Sequence, residues 1–187
     1  MFIKREGFFV LEQFTTHLIQ HIHKIKNEEA MNIEDISRSL CNTIIGDGYI
    51  YWYGHKEMKG ISSEVQFGSE PFPKSKVYDE SIELSHLDRL IIATRFSNDE
   101  DVLPILEKGK KDGAEVIVLT TVLDEGDPLI EKSDFHIDLK LAESLLPYDT
   151  GKIGYPAVLL LFYIYYALYM TTKEIIDDFE GPLPTFE

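Results

Sequence analysis

Two apolar runs constrain this chain more than any other feature. Leu90-Ile91-Ile92-Ala93-Thr94 and Val116-Ile117-Val118-Leu119, within residues 115–120, show no polar alternation. A strand with one wet face alternates, whereas a strand covered by helices on both faces does not. Between the runs, residues 99–111 carry a helical pattern, and Gly113 is placed to cap its end. Strand, helix and buried strand in succession predict a parallel sheet. The aromatic stretch 49–53 (Tyr-Ile-Tyr-Trp-Tyr) adds a strand, 76–78 a short one, and 135–139 an alternating edge strand. The expected fold is α/β: a parallel sheet with helices on both faces.

Helices fill the intervals. Residues 8–25 repeat apolar side chains every three to four positions, and 33–45 do so again, with Asn32 as a candidate cap. A helix is expected within 55–67, and Pro71 and Pro73 mark the loop after it. A short helix is expected over 128–132. Pro156 opens a long last helix that Gly181-Pro182 closes, with an acidic tail beyond. The 187 residues read as one domain, with N-terminal helices over 1–45, the sheet core over 46–140 and the last helix over 154–180.

Charge and composition exclude several functions. Lys and Arg number 18 against 33 Asp and Glu, a net charge of −15, so nucleic acid and anionic membrane surfaces should repel the chain. Glu6, Gly7, Glu12 and Gln13 interrupt the first apolar stretch, so no signal peptide is expected. Residues 157–170 form an apolar stretch of 14 with four tyrosines, short of the about 20 that a span needs. That stripe suits a buried helix that also packs on another subunit. The one cysteine, Cys41, excludes a disulfide framework and fits a cytoplasmic protein. It lies on an apolar helix side as a buried thiol.

In an open parallel sheet, ligands bind beyond the carboxyl ends of the strands. The loops there hold Gly54-His55-Lys56-Glu57-Met58-Lys59, Thr94-Arg95-Phe96-Ser97-Asn98 and Thr120-Thr121. They supply cations, hydroxyls and helix N-termini, which suit an anion such as phosphate. Ser97 and Asn98 also read as plain helix caps, with Asp99, Glu100 and Asp101 answering the helix dipole.

The stretch LIIATRFSNDEDVL from residue 90, followed by Lys111-Asp112-Gly113-Ala114 and a strand ending in Thr120, resembles the core of the SIS (sugar isomerase) domain family. Residues 44–54 resemble its Gly-Gly-x-Ile-x-x-x-Gly stretch, and the terminal helices match the phosphoheptose-isomerase-like branch. The resemblance spans about residues 8–179. It implies a three-layer α/β/α fold with a five-stranded parallel sheet of doubly wound, flavodoxin-like type, and a phosphorylated sugar bound at the strand ends; no cofactor is expected. It implies that Thr94, Ser97 and Asn98 cradle the phosphate, that Thr120 and Thr121 end the next strand, and that Gly54 opens the other ligand loop. Lys56 and Arg95 add charge. The branch's Gly-Asn-Gly-Gly-Ser is replaced here by Gly54-His55-Lys56-Glu57-Met58, and Phe96 stands where a glycine is expected. The branch's histidine in the last helix has no match, because residues 154–179 contain none. Isomerisation needs a group that moves a proton between neighbouring carbons. Glu64 is the candidate base, with Glu70 as runner-up, and His55 the candidate acid. A non-catalytic sugar-phosphate sensor or interaction module is the alternative. SIS proteins bind ligands near subunit interfaces, so a homo-oligomer, dimer or tetramer, through the terminal helices is expected.

Other constellations carry less. His17 and His21 lie four apart with His23 nearby, but no carboxylate at helical spacing completes a metal set, and no metal is expected. Gly46-Asp47-Gly48 precedes its strand and lacks a third glycine, so it reads as a turn and not a dinucleotide loop.

Overall fold

The computed structural model describes residues 6–149 and 151–180. Five strands, β1 (Ile50–Gly54), β2 (Ser75–Val77), β3 (Arg89–Phe96), β4 (Glu115–Thr121) and β5 (Phe135–Asp138), form one parallel sheet in the order β2-β1-β3-β4-β5. The helices are α1 (Glu6–Glu28), α2 (Ala30–Ile45), α3 (Gly60–Phe67), α4 (Leu103–Asp112), α5 (Pro128–Lys132) and α6 (Ala157–Glu180). Alternate side chains of β1, β3 and β4 feed two cores, and Ile137 of β5 joins the first. Ile91, Ala93, Ile117, Leu119 and Ile137 pack with Ile36 and Leu40 of α2, Ile61 of α3 and Leu160 and Ile164 of α6. Leu90, Ile92, Val116 and Val118 pack with Ile105 and Leu106 of α4 and Leu129 of α5. This is the expected three-layer α/β/α architecture. The unbroken apolar runs reflect central strands, β3 and β4, covered on both faces.

The strand order fixes where a ligand belongs. From β1 the chain winds outward to β2 at one edge, then crosses back past β1 to β3 and continues to β5. The crevice between the carboxyl ends of β1 and β3 is the switch point of the winding, where open α/β sheets bind ligands. His55 follows β1 there, and Thr94–Asp99 runs along its other side.

Several expectations need correction. Asn32 does not cap the second helix. That helix starts at Ala30, with only Glu29 between it and the end of α1, and the Asn32 amide donates to Glu29 at 2.7 Å. Glu29 is buried because Lys140 reaches it at 2.8 Å. Ser97 and Asn98 do not cap a helix either. A 3-10 turn over Glu100–Val102 precedes α4, and Asp99 takes the cap position without a side-chain capping bond. Sequence reading also missed an antiparallel hairpin, β6 (Leu146–Tyr148) with β7 (Gly151–Ile153), ahead of α6. Gly113 does cap α4, at φ +93°. The expected closure of the last helix by Gly181-Pro182, and the tail, lie outside the described residues. Cys41 is buried, which pushes its thiol pKa up. Tyr165 is fully buried and Tyr163, Tyr166 and Tyr169 half-buried, so the tyrosine stripe is core on one side.

Candidate functional site

Gly54 ends β1 because nothing larger fits. A Cβ there would lie 2.2 Å from the carbonyl oxygen of Met58, since the 3-10 turn Lys56–Lys59 folds back over the strand end. Met58 is fully buried in the core. The loop therefore closes on itself where a glycine-serine loop would stay open.

His55 sits directly above the crevice. Its backbone N–H donates to the carbonyl of Ala93 at 2.8 Å, which ties the loop after β1 to β3. Its ring stacks on Tyr53, with centroids 6.5 Å apart. Its Nε2 faces Asp99 at 3.6 Å and Asp101 at 3.5 Å, both oxygens Oδ2. That nitrogen is buried and has no hydrogen-bond partner among the described residues. Lys56, held at φ +50°, brings its ammonium to 3.1 Å from Asp99 and 3.5 Å from Asp101. The Thr94 hydroxyl donates to Asp99 Oδ2 at 3.1 Å. Burial opposes the charge on Asp99, but the bonds from Lys56 and Thr94 and the nearness of His55 outweigh it and hold the carboxyl below its usual range.

The other residues fall into separate groups. The Ser97 hydroxyl donates to Asp127 and accepts the Leu123 N–H at 2.8 Å, so it braces the loop after β4. Asn98 is exposed beside it. Thr120 is fully buried, with a hydroxyl that has no partner among the described residues. The Thr121 hydroxyl accepts the Leu141 N–H at 3.3 Å. Arg95 points to the opposite face of the sheet, where its Nε donates to Glu57 at 2.6 Å and its guanidinium lies 5.5 Å from the Tyr155 ring centre. The bond from Arg95 outweighs burial and holds the Glu57 carboxyl below its usual range. Phe14, Glu57, Arg95, Tyr155, Val158 and Leu159 line a cleft of about 470 Å³ beside the N-terminus of α6.

Glu64 lies in α3 and joins neither group. Its carboxylate accepts a hydrogen bond from the Tyr166 hydroxyl of α6 at 2.6 Å. That bond, with burial, pushes the Tyr166 pKa up to about 12. Glu70 is exposed in the loop beyond.

The structure thus gathers His55, Lys56 and Thr94 at the crevice, sets Arg95 in a cleft on the other face, and keeps Glu64 apart. Reading the sequence missed Asp99 and Asp101 as partners of His55, Glu57 as partner of Arg95, Tyr155 as a cleft wall and Asp127 as partner of Ser97. The one signal in the sequence was an acidic run after β3, which also serves a helix start.

Residues 10–176 match a family model described as a domain of unknown function, DUF2529. The chain is 30% identical over 172 residues to "Uncharacterized protein YwjG" of Bacillus subtilis (strain 168), covering 91% of this chain and 99% of that protein. Among solved structures it is similar to a phosphoheptose isomerase from Francisella tularensis, at 13% identity and a TM-score of 0.63, covering 90% of this chain and 99% of the other. A protein from Methanococcus jannaschii, whose structure infers a 3-hexulose-6-phosphate isomerase, is similar too, at 19% identity and a TM-score of 0.59, covering 91% and 93%. At such identities the likeness establishes the fold, which is that of the SIS phosphosugar isomerases. With the fold, the crevice and the family match in agreement, the chain belongs to the DUF2529 family, built on the SIS fold.

Proposed function

We propose that the chain binds a phosphorylated sugar at the carboxyl ends of β1, β3 and β4. The observation that carries this reading is the Arg95–Tyr155 cleft at strand ends of a fold whose neighbours include a phosphoheptose isomerase and an inferred 3-hexulose-6-phosphate isomerase. In this reading Arg95 supplies the cation and Tyr155 a flat wall for a sugar face. The residues expected at the phosphate end are Gly54, Lys56, Thr94, Ser97, Asn98, Thr120 and Thr121, of which Lys56 and Asn98 are exposed and the others would have to open to the ligand. The matching chemistry is aldose–ketose isomerisation of a sugar phosphate; with Glu64 as base and His55 as acid, it requires Glu64 to leave Tyr166 and reach the crevice. A cytoplasmic homo-oligomer through α1 and α6 completes the reading. Its support is apolar surface left open on both helices, with Phe9 63% and Leu11 61% exposed on α1 and Leu159 52% on α6.

A specific observation favours the second reading, a non-catalytic sensor of the same ligand. The hydroxyls of Thr94 and Ser97 are tied to carboxylates, and Glu64 is engaged by Tyr166 away from the crevice. A thermal-shift screen of phosphorylated hexoses, heptoses and amino sugars tests both readings, with inorganic phosphate and unphosphorylated sugars as controls. A ligand at 100 times its dissociation constant stabilises the fold by about 2.7 kcal/mol. The expected result is a selective shift that Arg95→Ala abolishes. An isomerase then exchanges a substrate C–H proton with solvent deuterium, and a sensor does not. A flat screen removes both readings.

A further inference from the structure

We propose that His55, Asp99 and Asp101 form a binding site for a divalent transition-metal ion of the zinc class at the switch point of the sheet. One ligand atom from each residue lies within 4.8 Å of the others. The donors come from two segments on either side of the crevice, so an ion there would clamp the loop after β1 to the turn after β3.

The spacing suits coordination. Zinc binds imidazole nitrogen and carboxylate oxygen at about 2.0–2.2 Å in a tetrahedral shell, whose edge is about 1.6 times the bond length. Donors of such a shell therefore lie roughly 3.3–3.6 Å apart. The His55 Nε2 stands 3.6 Å from Asp99 Oδ2 and 3.5 Å from Asp101 Oδ2. These separations exceed a good hydrogen bond and match a shared ion.

A second observation points the same way. Among the described residues the buried His55 Nε2 has no hydrogen-bond partner, although it faces two carboxylates. Its ring lies nearly parallel to that of Tyr53 and its backbone is tied to Ala93, which favour this orientation. Thr94 orients Asp99 in the same way. Such outer contacts fix metal ligands. Asp101 is 69% exposed, so the fourth position opens to solvent.

Lys56 is the cation that holds these carboxylates without a metal. Its ammonium contacts both Asp99 and Asp101, and its side chain is 53% exposed and able to swing into water. Metal and ammonium therefore compete for the same oxygens. The ion would also reverse the sign of a crevice that otherwise presents carboxylates to an anion. Anchoring a phosphate oxygen at its open position rests on the phosphosugar reading; metal binding does not.

The test is equilibrium dialysis of the full chain against Zn2+, with Co2+ absorption reporting tetrahedral coordination. One ion per chain is expected. His55→Ala and Asp101→Asn should each weaken binding roughly tenfold or more. Asp101 is exposed, so its variant decides the matter if His55→Ala unfolds. Lys56→Met should tighten binding severalfold, and His17→Ala on α1 should leave it unchanged. No bound ion, or equal binding by the wild type and both ligand variants, overturns the site. The sugar-phosphate screen is then repeated with Zn2+ and with chelator. A shift that needs Zn2+ supports anchoring through the ion, and a shift indifferent to chelator overturns that anchoring. Zn2+ binding that Asp101→Asn weakens, with no sugar-phosphate shift in either condition, upholds the metal site and overturns the phosphosugar reading.

Discussion

At Gly54 a single hydrogen atom decides the shape of the candidate site. The Met58 carbonyl occupies the space a side chain would need, at 2.2 Å from an added Cβ. Gly54→Ala must push the turn off the strand end or drag Met58 from the core. Strain and lost packing of this kind cost about 2 kcal/mol or more. Urea unfolding should show that loss, and an unchanged midpoint would mean the turn is not seated on β1. Tyr166 offers a second test, through pH. Its hydrogen bond to Glu64, with burial, keeps its phenol protonated up to about 12, above the ordinary 10. A raised acid pKa means that the folded state holds the proton more tightly than the unfolded state. The stabilisation is complete below pH about 10 and disappears as pH rises through about 12. Wild type should therefore lose stability more steeply than Tyr166→Phe across that window. Tyrosines common to both proteins, such as Tyr51 and Tyr165, cancel in the comparison. Equal slopes would mean that Glu64 and Tyr166 are not bonded in solution.

Among the elements, the joint between α1 and α2 shows why some of the architecture was readable in the sequence and some was not. Strands β3 and β4 could be read because a strand covered on both faces has only apolar positions, a local pattern. Helix α5 could be read from Pro128 at its first position. The start of α2 could not, because its cause lies more than a hundred residues away. Lys140, at φ +57° after β5, reaches Glu29 at 2.8 Å and Asp138 at 3.2 Å. Burial opposes its charge, yet the bond from Glu29 and the field of Asp138 hold it above the usual lysine range. The Asp99 cluster was hidden for the same reason, since acids at a helix start look local until His55 is seen above them. The hairpin of β6 and β7 has three residues per strand, too few for any periodicity. Lys140→Met should leave the buried Glu29 carboxylate with the Asn32 amide but without its cation, and cost about 3 kcal/mol. Adding Glu29→Gln should recover much of that loss, which a double-mutant cycle in urea measures. Additive losses would show that the pair does not act as a unit.

For the whole molecule, net charge and apolar surface pull in opposite directions. The chain carries −15, so two copies repel each other. Yet α1 leaves Phe9, Leu11 and Ile19 exposed, and α6 leaves Leu159 and Met170 exposed, the last at 60%. Full burial of side chains of that size is worth roughly 1.5–3 kcal/mol each, and about half of that is left to gain here, since each is about half exposed. Five of them, with their copies on a partner, outweigh a surface repulsion that salt screens over about 10 Å at 0.1 M. The expected state is a dimer or tetramer at micromolar concentration. Its association should tighten as salt rises, because screening removes the repulsion and leaves apolar burial nearly unchanged. A dimer held by surface ion pairs would loosen instead. Leu11→Glu adds charge at an exposed position, so it should dissociate the oligomer without changing how the single chain unfolds. Sedimentation across a salt series reads both effects. A monomer at every salt concentration would show that these side chains are ordinary surface, and the α1 and α6 interface would fall with that result.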